Sequence, residues 1–361
     1  MFSDRNGNGV RDAREPGIAK VVVSDQDTVV LTKADGSFSL PRGRGHGYVF
    51  VSIPNGYRVV GNFWRRADEP LNFALTPTTP AQTFQFVHAS DTHISEQSAA
   101  RTRRLRQLVD SIKPAFAIIS GDLVRDALRV PEAEARGYYD LFARERATFR
   151  TPVYTVPGNH ENFGIETDKS GVSPTNPLFG KKMYRSYFGP DYYSFNVGGV
   201  HFVGLNTVDI AGNYYHGHVD SLQVAWLARD LAALPPNTVV VTFNHIPFYS
   251  SAEILNGYDD GPPAPTLITV NGKTTFRHTV SNATEVLALL AKQRHELALG
   301  GHIHIVERIE YEREGQRTRF VTSAATVAPV QSAGRVFPSG LTLYTVRAGV
   351  IDGERFIRLD P

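Results

Sequence analysis

Five short polar clusters stand where apolar, strand-like runs of the sequence stop. They are Ser90-Asp91-Thr92-His93, Ser120-Gly121-Asp122, Pro157-Gly158-Asn159-His160-Glu161, Phe243-Asn244-His245-Ile246-Pro247 and Gly300-Gly301-His302-Ile303-His304. In open α/β sheets, ligands bind in the crevice outside the carboxyl ends of the strands. We therefore expect these five clusters to converge on one site.

The side chains in these clusters suit divalent transition metals. Carboxylate, amide oxygen and imidazole are ligands for Zn, Mn and Fe. Because side chains alternate along an extended segment, Asp-x-His and His-x-His each place two ligands on one face. The candidate ligands are Asp91, His93, Asp122, Asn159, His245, His302 and His304. They are too many for one four-coordinate ion, but they suffice for two ions that share one carboxylate.

Each motif also has an ordinary structural interpretation. A lone Asp-x-His is usually turn chemistry, a lone His-x-His is often incidental, and Asn159-His160 could cap a helix. The joint appearance of all the motifs, in this order and at these spacings, favours a metal site over these alternatives.

The motifs resemble, in order, those of the calcineurin-like metallophosphoesterases, and the resemblance covers about residues 84–330. It implies a four-layer α/β/β/α sandwich. It also implies a first metal held by Asp91, His93 and His304, a second held by Asn159, His245 and His302, and a bridging Asp122. His160 would face the phosphate without binding a metal, supported by an acidic neighbour, Glu161 or Asp126.

The expected activity is hydrolysis of phosphate monoesters or diesters by direct attack of a metal-bridging hydroxide, with Asp122 and His160 as catalytic residues. An extracellular binding or adhesion module with a silent metal site is the alternative, and turnover of a nitrophenyl phosphate ester would separate the two. The net charge of +2 and the lack of a basic stripe argue against long nucleic acid substrates.

Substrate contacts are expected at Arg125, Tyr249, Arg277 and His278. Purple acid phosphatases have a tyrosine at the position of Arg125, three residues after the bridging aspartate, so we expect no purple absorption band. The segment 246–280, which also contains Phe248, Tyr258 and Phe276, is predicted to be a lid over the substrate; a packed surface loop is the alternative.

Strand-like and helix-like patterns alternate from residue 84 onward. We predict strands over 84–89, 115–120, 152–156, 193–197, 200–205 and 239–243, and helices over 96–112, 132–147, 220–233 and 282–294. Such mixed order favours layers of strands with helices outside. We assign residues 84–361 to this domain, including short C-terminal strands.

Residues 1–76 are predicted to form a small all-β sandwich, joined by a linker over 77–83. Its opening fits the calcium-loop pattern, with oxygen ligands from Asp4, Asn6, Asn8, Val10, Asp12 and Glu15. The region resembles calcium-loop and carboxypeptidase-regulatory-like modules of bacterial surface proteins. An Asp/Asn/Gly-rich turn without an ion is the alternative.

The composition is that of a globular protein with room for two domains in 361 residues. The absence of cysteine excludes disulfides and thiol nucleophiles. No apolar run is long enough for a membrane span, and no signal peptide is visible, so we expect a mature or engineered start. By analogy with surface modules we expect an extracytoplasmic bacterial protein, periplasmic or secreted. The oligomeric state stays open.

Overall fold

The computed structural model describes residues 1–41, 45–252, 265–313, 315–332 and 334–360. The N-terminal region is built from short strands. They are β1 (Phe2–Ser3), β2 (Val22–Ser24), β3 (Val29–Leu31), β4 (Tyr48–Val51), β5 (Tyr57–Val59), β6 (Trp64–Arg66) and β7 (Ala74–Pro77). They form two sheets, in the orders β3-β2-β4-β6 and β1-β7-β5. The region is therefore β-rich, as predicted.

The rest of the chain mixes strands and helices. The strands are β8 (Thr83–Ala89), β9 (Phe116–Ser120), β10 (Val153–Val156), β11 (Tyr193–Val197), β12 (Val200–Gly204), β13 (Val208–Ala211), β14 (Tyr214–Gly217), β15 (Val239–Phe243), β16 (Leu267–Val270), β17 (Lys273–Phe276), β18 (Arg294–Gly300), β19 (Arg308–Arg313), β20 (Gln316–Thr322), β21 (Val330–Ser332), β22 (Arg335–Phe337), β23 (Gly340–Arg347) and β24 (Val350–Arg358).

The helices are α1 (Ala99–Ile112), α2 (Glu132–Ala147), α3 (Thr167–Ser170), α4 (Lys181–Phe188), α5 (Ser221–Ala232) and α6 (Ala283–Leu290), with one 3₁₀ turn at Asn159–Glu161. Four of them lie within a few residues of the predicted helices, whereas α3 and α4 were not predicted. Within the described residues, no helix combines the length and the apolar character that a membrane crossing requires.

Two large sheets contact each other through aromatic side chains. Their strand orders are β10-β9-β8-β23-β24 and β11-β12-β15-β18-β20-β19. The ring of Phe202 on β12 lies 5.3 Å from Phe86 on β8 and 5.0 Å from Phe116 on β9. On the opposite face of β8, Val87 belongs to the same cluster as Leu105 of α1. Alternation along β8 thus directs one face to the second sheet and the other to helices.

Parallel pairing brings the ends of the site-bearing strands together. β8, β9 and β10 run parallel in one sheet, and β12, β15 and β18 run parallel in the other. Ser120 pairs with Val156, and Phe243 pairs with Leu299, at or one residue before the last positions of their strands. The polar clusters that follow these strands consequently meet at one edge.

The N-terminal region packs on the larger one and shares its hydrophobic core. The ring of Phe63 lies 4.8 Å from Tyr193, and Phe50 lies 6.2 Å from Trp226 of α5. The Gln26 amide also donates to Asp191 Oδ1 over 3.0 Å. These contacts are made on the side of β11 and α5.

Candidate metal centre

The backbone at the strand ends is unusual at the residues predicted to bind metal. Asp91, His93, Asp122, His302 and His304 all have left-handed conformations, with φ between 37° and 69°. Such values are uncommon for residues with a side chain and cost on the order of 1–3 kcal/mol each. Conformations of this kind persist where the surrounding fold enforces them, and they concentrate at functional sites.

One group of potential ligand atoms is formed by Asp91, His93, Asp122 and His304, whose ligand atoms all lie within 4.8 Å of one another. The Nε2 atoms of His93 and His304 are 3.2 Å apart, and Nε2 of His304 lies 3.1 Å from Oδ1 of Asp91. That carboxylate oxygen is buried and has no well-aligned hydrogen bond within the described residues. A buried carboxylate oxygen without a hydrogen-bond donor, close to two imidazole nitrogens, fits a bound cation.

A second group lies beside the first and consists of Asp122, His245 and His302. Nε2 of His245 is 3.2 Å from Asp122 Oδ2 and 3.1 Å from the amide oxygen of Asn159. The Nδ1 atom of His245 is 2.9 Å from the carbonyl of Ser120, which can only accept. This bond fixes the tautomer and leaves Nε2 available to a metal.

Asp122 belongs to both groups. Its Oδ2 lies 3.5 Å from His93 Nε2 and 3.2 Å from His245 Nε2, while its Oδ1 accepts the backbone N–H of His160 over 2.9 Å. One carboxylate therefore sits between two sets of ligand atoms, in the place of a bridging ligand.

The charges of the site are strongly coupled. Burial favours the neutral form of Asp122, but the nearby His245, His160 and His93 outweigh burial and hold the pKa of the carboxyl well below its ordinary value. Burial likewise opposes the charge on His245, yet Asp122 and Asp91 raise the pKa of its imidazole to about 9. Without metal, the site holds a proton at a position where an ion would bind.

Two glycines allow the close approach of the clusters. A Cβ on Gly158 would stand 2.2 Å from Asp122 Oδ1, and one on Gly301 would stand 2.0 Å from Ser90 Oγ. Side chains at these positions would push the strand ends apart, which explains why glycine precedes Asn159 and His302.

His160 lies beside the two groups without belonging to either. Its ring centroid is 4.6 Å from that of His93, and its Nε2 is 3.9 Å from Asp122 Oδ2. Its Nδ1 donates to the backbone carbonyl of Arg125 over 2.5 Å, so Nε2 faces the metal groups.

The expectation that Glu161 or Asp126 supports His160 is wrong, because a backbone carbonyl makes that contact. Glu161 is buried and accepts the backbone N–H groups of Val124 and Gly158 at 3.0 and 2.6 Å. Burial, and then the neighbouring Asp122, raise the pKa of its carboxyl to about 8. Its visible role is to tie two of the strand-end loops together.

The predicted substrate residues are not all in one place. Arg125 is exposed next to His160, and His278 Nδ1 lies 2.7 Å from His302 Nε2. The buried guanidinium of Arg277 lies 4.3 Å from the ring centre of Tyr215. Tyr249 instead packs against Phe320, at 5.0 Å, and lines a cavity with residues of α6. Within the predicted lid, Tyr258 lies outside the described residues.

Tyr215 is a neighbour of the site that the sequence pattern did not indicate. Its ring centroid is 5.9 Å from that of His302 and 6.2 Å from that of His278. It is carried by the β13–β14 hairpin, which we did not predict, and the stretch Tyr214-Tyr215-His216 gives no signal that would place Tyr215 at the site.

Comparison with known proteins agrees with this geometry. Residues 84–306 match the family described as calcineurin-like phosphoesterase, and residues 5–77 match its N-terminal domain. The chain belongs to the calcineurin-like phosphoesterase family. The larger match contains all seven candidate ligands, and the family's dinuclear centres agree with two ligand groups. The N-terminal match supports neither the calcium loop nor a carboxypeptidase-regulatory-like identity.

Similar curated proteins from this family have different activities. The chain is 28% identical to purple acid phosphatase 23 of Arabidopsis thaliana over 190 residues, 50% of this chain and 35% of the relative. It is 24% identical to the 3',5'-cyclic adenosine monophosphate phosphodiesterase CpdA of Escherichia coli strain K12 over 204 residues, 55% of this chain and 57% of the relative. The chain thus spans about a third to a little over half of these relatives.

Among solved structures, the chain is similar to a dimetal phosphatase from Danio rerio. The TM-score is 0.46 at 15% identity, and the match covers 77% of this chain and 99% of that one. A calcineurin-like phosphoesterase is a hydrolase of phosphate esters, and the relatives include both phosphatases and a phosphodiesterase.

Proposed function

We propose that the protein is a binuclear phosphoesterase that hydrolyses small phosphate monoesters or diesters. The position of Asp122 carries this proposal, because its carboxylate lies within 3.5 Å of imidazoles from both ligand groups. Two divalent ions of Mn, Zn or Fe would be held by Asp91, His93 and His304 on one side. Asn159, His245 and His302 would hold the other ion.

Two bound ions would supply a nucleophilic hydroxide at neutral pH and neutralise charge on the phosphate. The chain's own residues orient these parts. Ser120 fixes the tautomer of His245 through a 2.9 Å contact, and Glu161 holds the loops that carry Asp122 and Asn159. The left-handed backbone aims the ligand side chains at a common space, so little reorganisation is needed when ions bind.

His160 would contact the phosphate or protonate the leaving oxygen. Its Nδ1–H is occupied by the carbonyl of Arg125, so only Nε2 is free to act. Arg125 is exposed beside it, where a guanidinium would attract the negatively charged substrate. His278, adjacent to His302, would line the opposite side of the substrate site.

Three further features belong to this proposal. The contacts between the two large sheets, with helices on outer faces, support a four-layer α/β/β/α sandwich. The Asp4–Glu15 loop would bind calcium, on the strength of its ligand pattern. The combination of a small β module with a hydrolase is the basis for placing the protein outside the cytoplasm of a bacterium.

The test is a substrate panel of mononucleotides, cyclic nucleotides, sugar phosphates and glycerophosphodiesters, assayed with metal-free protein and with added Mn, Zn or Fe. We expect metal-dependent release of phosphate or alcohol from at least one class, and far slower release by Asp122→Asn under the same conditions. No turnover of any ester by the metal-loaded protein would instead support a binding module with a silent site.

A further inference from the structure

A second His-x-His pair lies outside the proposed centre, on the β13–β14 hairpin. His216 and His218 lie two residues apart, so an extended chain directs both side chains to one face. Asp209 is the cross-strand partner of His216 in the antiparallel register. Ligand atoms of these three residues lie within 4.8 Å of one another. The hairpin therefore gathers two imidazoles and a carboxylate at one point.

The details of the contacts point to a ligand that the cluster is built to hold. Nδ1 of His218 lies 3.0 Å from Oδ2 of Asp209, and the two imidazole rings are 5.6 Å apart. His216 is 5% exposed, and its Nδ1 has no hydrogen-bond partner within the described residues. Buried polar atoms are nearly always paired, so an unpaired imidazole nitrogen beside a histidine and a carboxylate requires an explanation. A coordinated metal ion would provide it.

The surroundings decide which kind of ion fits. Lys181 lies 3.2 Å from Oδ1 of Asp209 and 3.7 Å from Asp220, and it offsets much of the negative charge. Calcium and magnesium depend on several oxygen ligands and on negative charge, which this cluster lacks. Two imidazoles and one carboxylate oxygen are a common ligand set for zinc, which also accepts water as a fourth ligand. We propose that Asp209, His216 and His218 form a zinc site, separate from the binuclear centre.

The opposite face of the hairpin shows what such an ion would stabilise. Tyr215 points away from His216 and packs near His278 and His302. Gly217 donates to the carbonyl of Arg277 over 3.0 Å, and its own carbonyl accepts from Ser281 over 2.8 Å. Zinc would fix the hairpin on its outer side, and the hairpin holds residues 277–281 beside the binuclear centre. The role of the ion is structural, because its ligands do not face the proposed substrate site.

Zinc stoichiometry of the full-length protein tests this site. Metal-free wild type, His218→Gln and His245→Gln would be titrated with zinc against a chromophoric chelator. Because His218 is partly exposed, with a third of its side chain accessible, the substitution should leave the fold intact, and thermal unfolding checks this. We expect His218→Gln to bind one zinc ion fewer than wild type. The double variant His218→Gln/His245→Gln should also bind one zinc ion fewer than His245→Gln, whether or not the proposed binuclear centre binds zinc. Equal stoichiometry with and without His218 would overturn the proposal.

A second measurement needs no variant. Crystals of the wild-type protein soaked in zinc would be measured above and below the zinc absorption edge. An anomalous peak between Asp209, His216 and His218 is expected. Its absence at zinc concentrations that fill the centre at Asp122 would overturn the proposal. Asp209→Asn keeps the size of the side chain but is a weaker ligand. The anomalous peak should therefore be weaker in crystals of this variant.

Discussion

The strand-end centre and the N-terminal Asp4–Glu15 loop both show the sequence pattern of a metal site. In the structure, however, their candidate ligand atoms have different hydrogen-bond partners. At the centre, imidazole and carboxylate atoms face one another, and Oδ1 of Asp91 is left without a well-aligned hydrogen bond. In the loop, backbone N–H groups donate hydrogen bonds to the carboxylates. Oδ1 and Oδ2 of Asp4 accept from Gly7 and Gly9, each at 2.7 Å.

The other end of the loop is satisfied in the same way. Glu15 accepts the backbone N–H groups of Arg5 and Asp12 at 2.8 and 3.1 Å, and Asp12 receives the amides of Asn6 and Asn8. The loop can therefore keep its shape without an ion, whereas the centre gathers like lone pairs that only cations or protons can satisfy. A ligand pattern alone does not distinguish these two cases.

The largest difference between the two regions should appear on removing one carboxylate from each. Asp122→Asn removes the ligand shared by both ion positions. Its effect should exceed the roughly 10–100-fold loss typical of outer-shell partners, and we expect about 10³-fold in kcat/KM. Asp12→Asn in the loop should leave activity unchanged. Steady-state assays of both variants measure this. An Asp122→Asn enzyme with wild-type activity would contradict the bridging role of Asp122.

His160 provides a finer test of the centre. His160→Ala should slow hydrolysis of an alkyl phosphate ester by about 10²–10⁴-fold, because an alkoxide needs a proton on leaving. A dinitrophenyl ester, whose leaving group needs no proton, should be affected far less, and metal content should stay at the wild-type level. Arg125→Ala is the control, because it keeps the backbone carbonyl that accepts the hydrogen bond from His160 Nδ1. Equal losses on both esters would point to phosphate binding, and loss of a metal would make His160 a ligand.

Proton competition should distinguish the centre from the loop. The pKa of His245 is raised to about 9 in the metal-free protein, so its imidazole is protonated at neutral pH and must lose that proton to bind an ion. The apparent affinity for Mn²⁺ should therefore increase about tenfold per unit as the pH rises from about 6 to about 8. Chelator competition at several pH values measures this dependence. An affinity that does not change with pH would show that His245 binds no metal.

The smallest effect is expected from calcium at the N-terminal loop. An ion that binds only the folded state stabilises it by mass action, by about 2.7 kcal/mol at 100 times its dissociation constant. Calcium should therefore raise the unfolding temperature without changing activity, and Asp12→Asn should reduce the shift. Thermal unfolding with and without calcium measures it. No shift in wild type would mean that hydrogen bonds within the loop take the place of a bound calcium ion.

The sequence predicts that the seven candidate ligands come together, because each follows a strand and parallel strands end together. His216 and His218 carried the same His-x-His signal as His302 and His304, yet the hairpin that positions them has no strong pattern of its own. Asp209, from the facing strand, is joined to them only by pairing register.

The sequence pattern also did not predict the direction in which individual side chains point. Glu161 follows His160 directly in the sequence, but the tight 3₁₀ turn at Asn159–Glu161 directs its carboxylate to backbone amides rather than to the imidazole. Tyr249 follows the strand end at His245, yet packs on Phe320 toward α6. Such choices depend on neighbours that are distant in the chain.

Two ions at the strand-end centre should both be needed for phosphoester hydrolysis. The most direct measurement titrates metal-free protein with Mn²⁺, which the His-rich hairpin should bind more weakly than zinc. Bound metal and hydrolysis of a nitrophenyl phosphate ester would be followed in the same samples. We expect no activity without metal and full activity only when two ions are bound per chain. Full activity at one ion per chain, or none at any metal content, would contradict it.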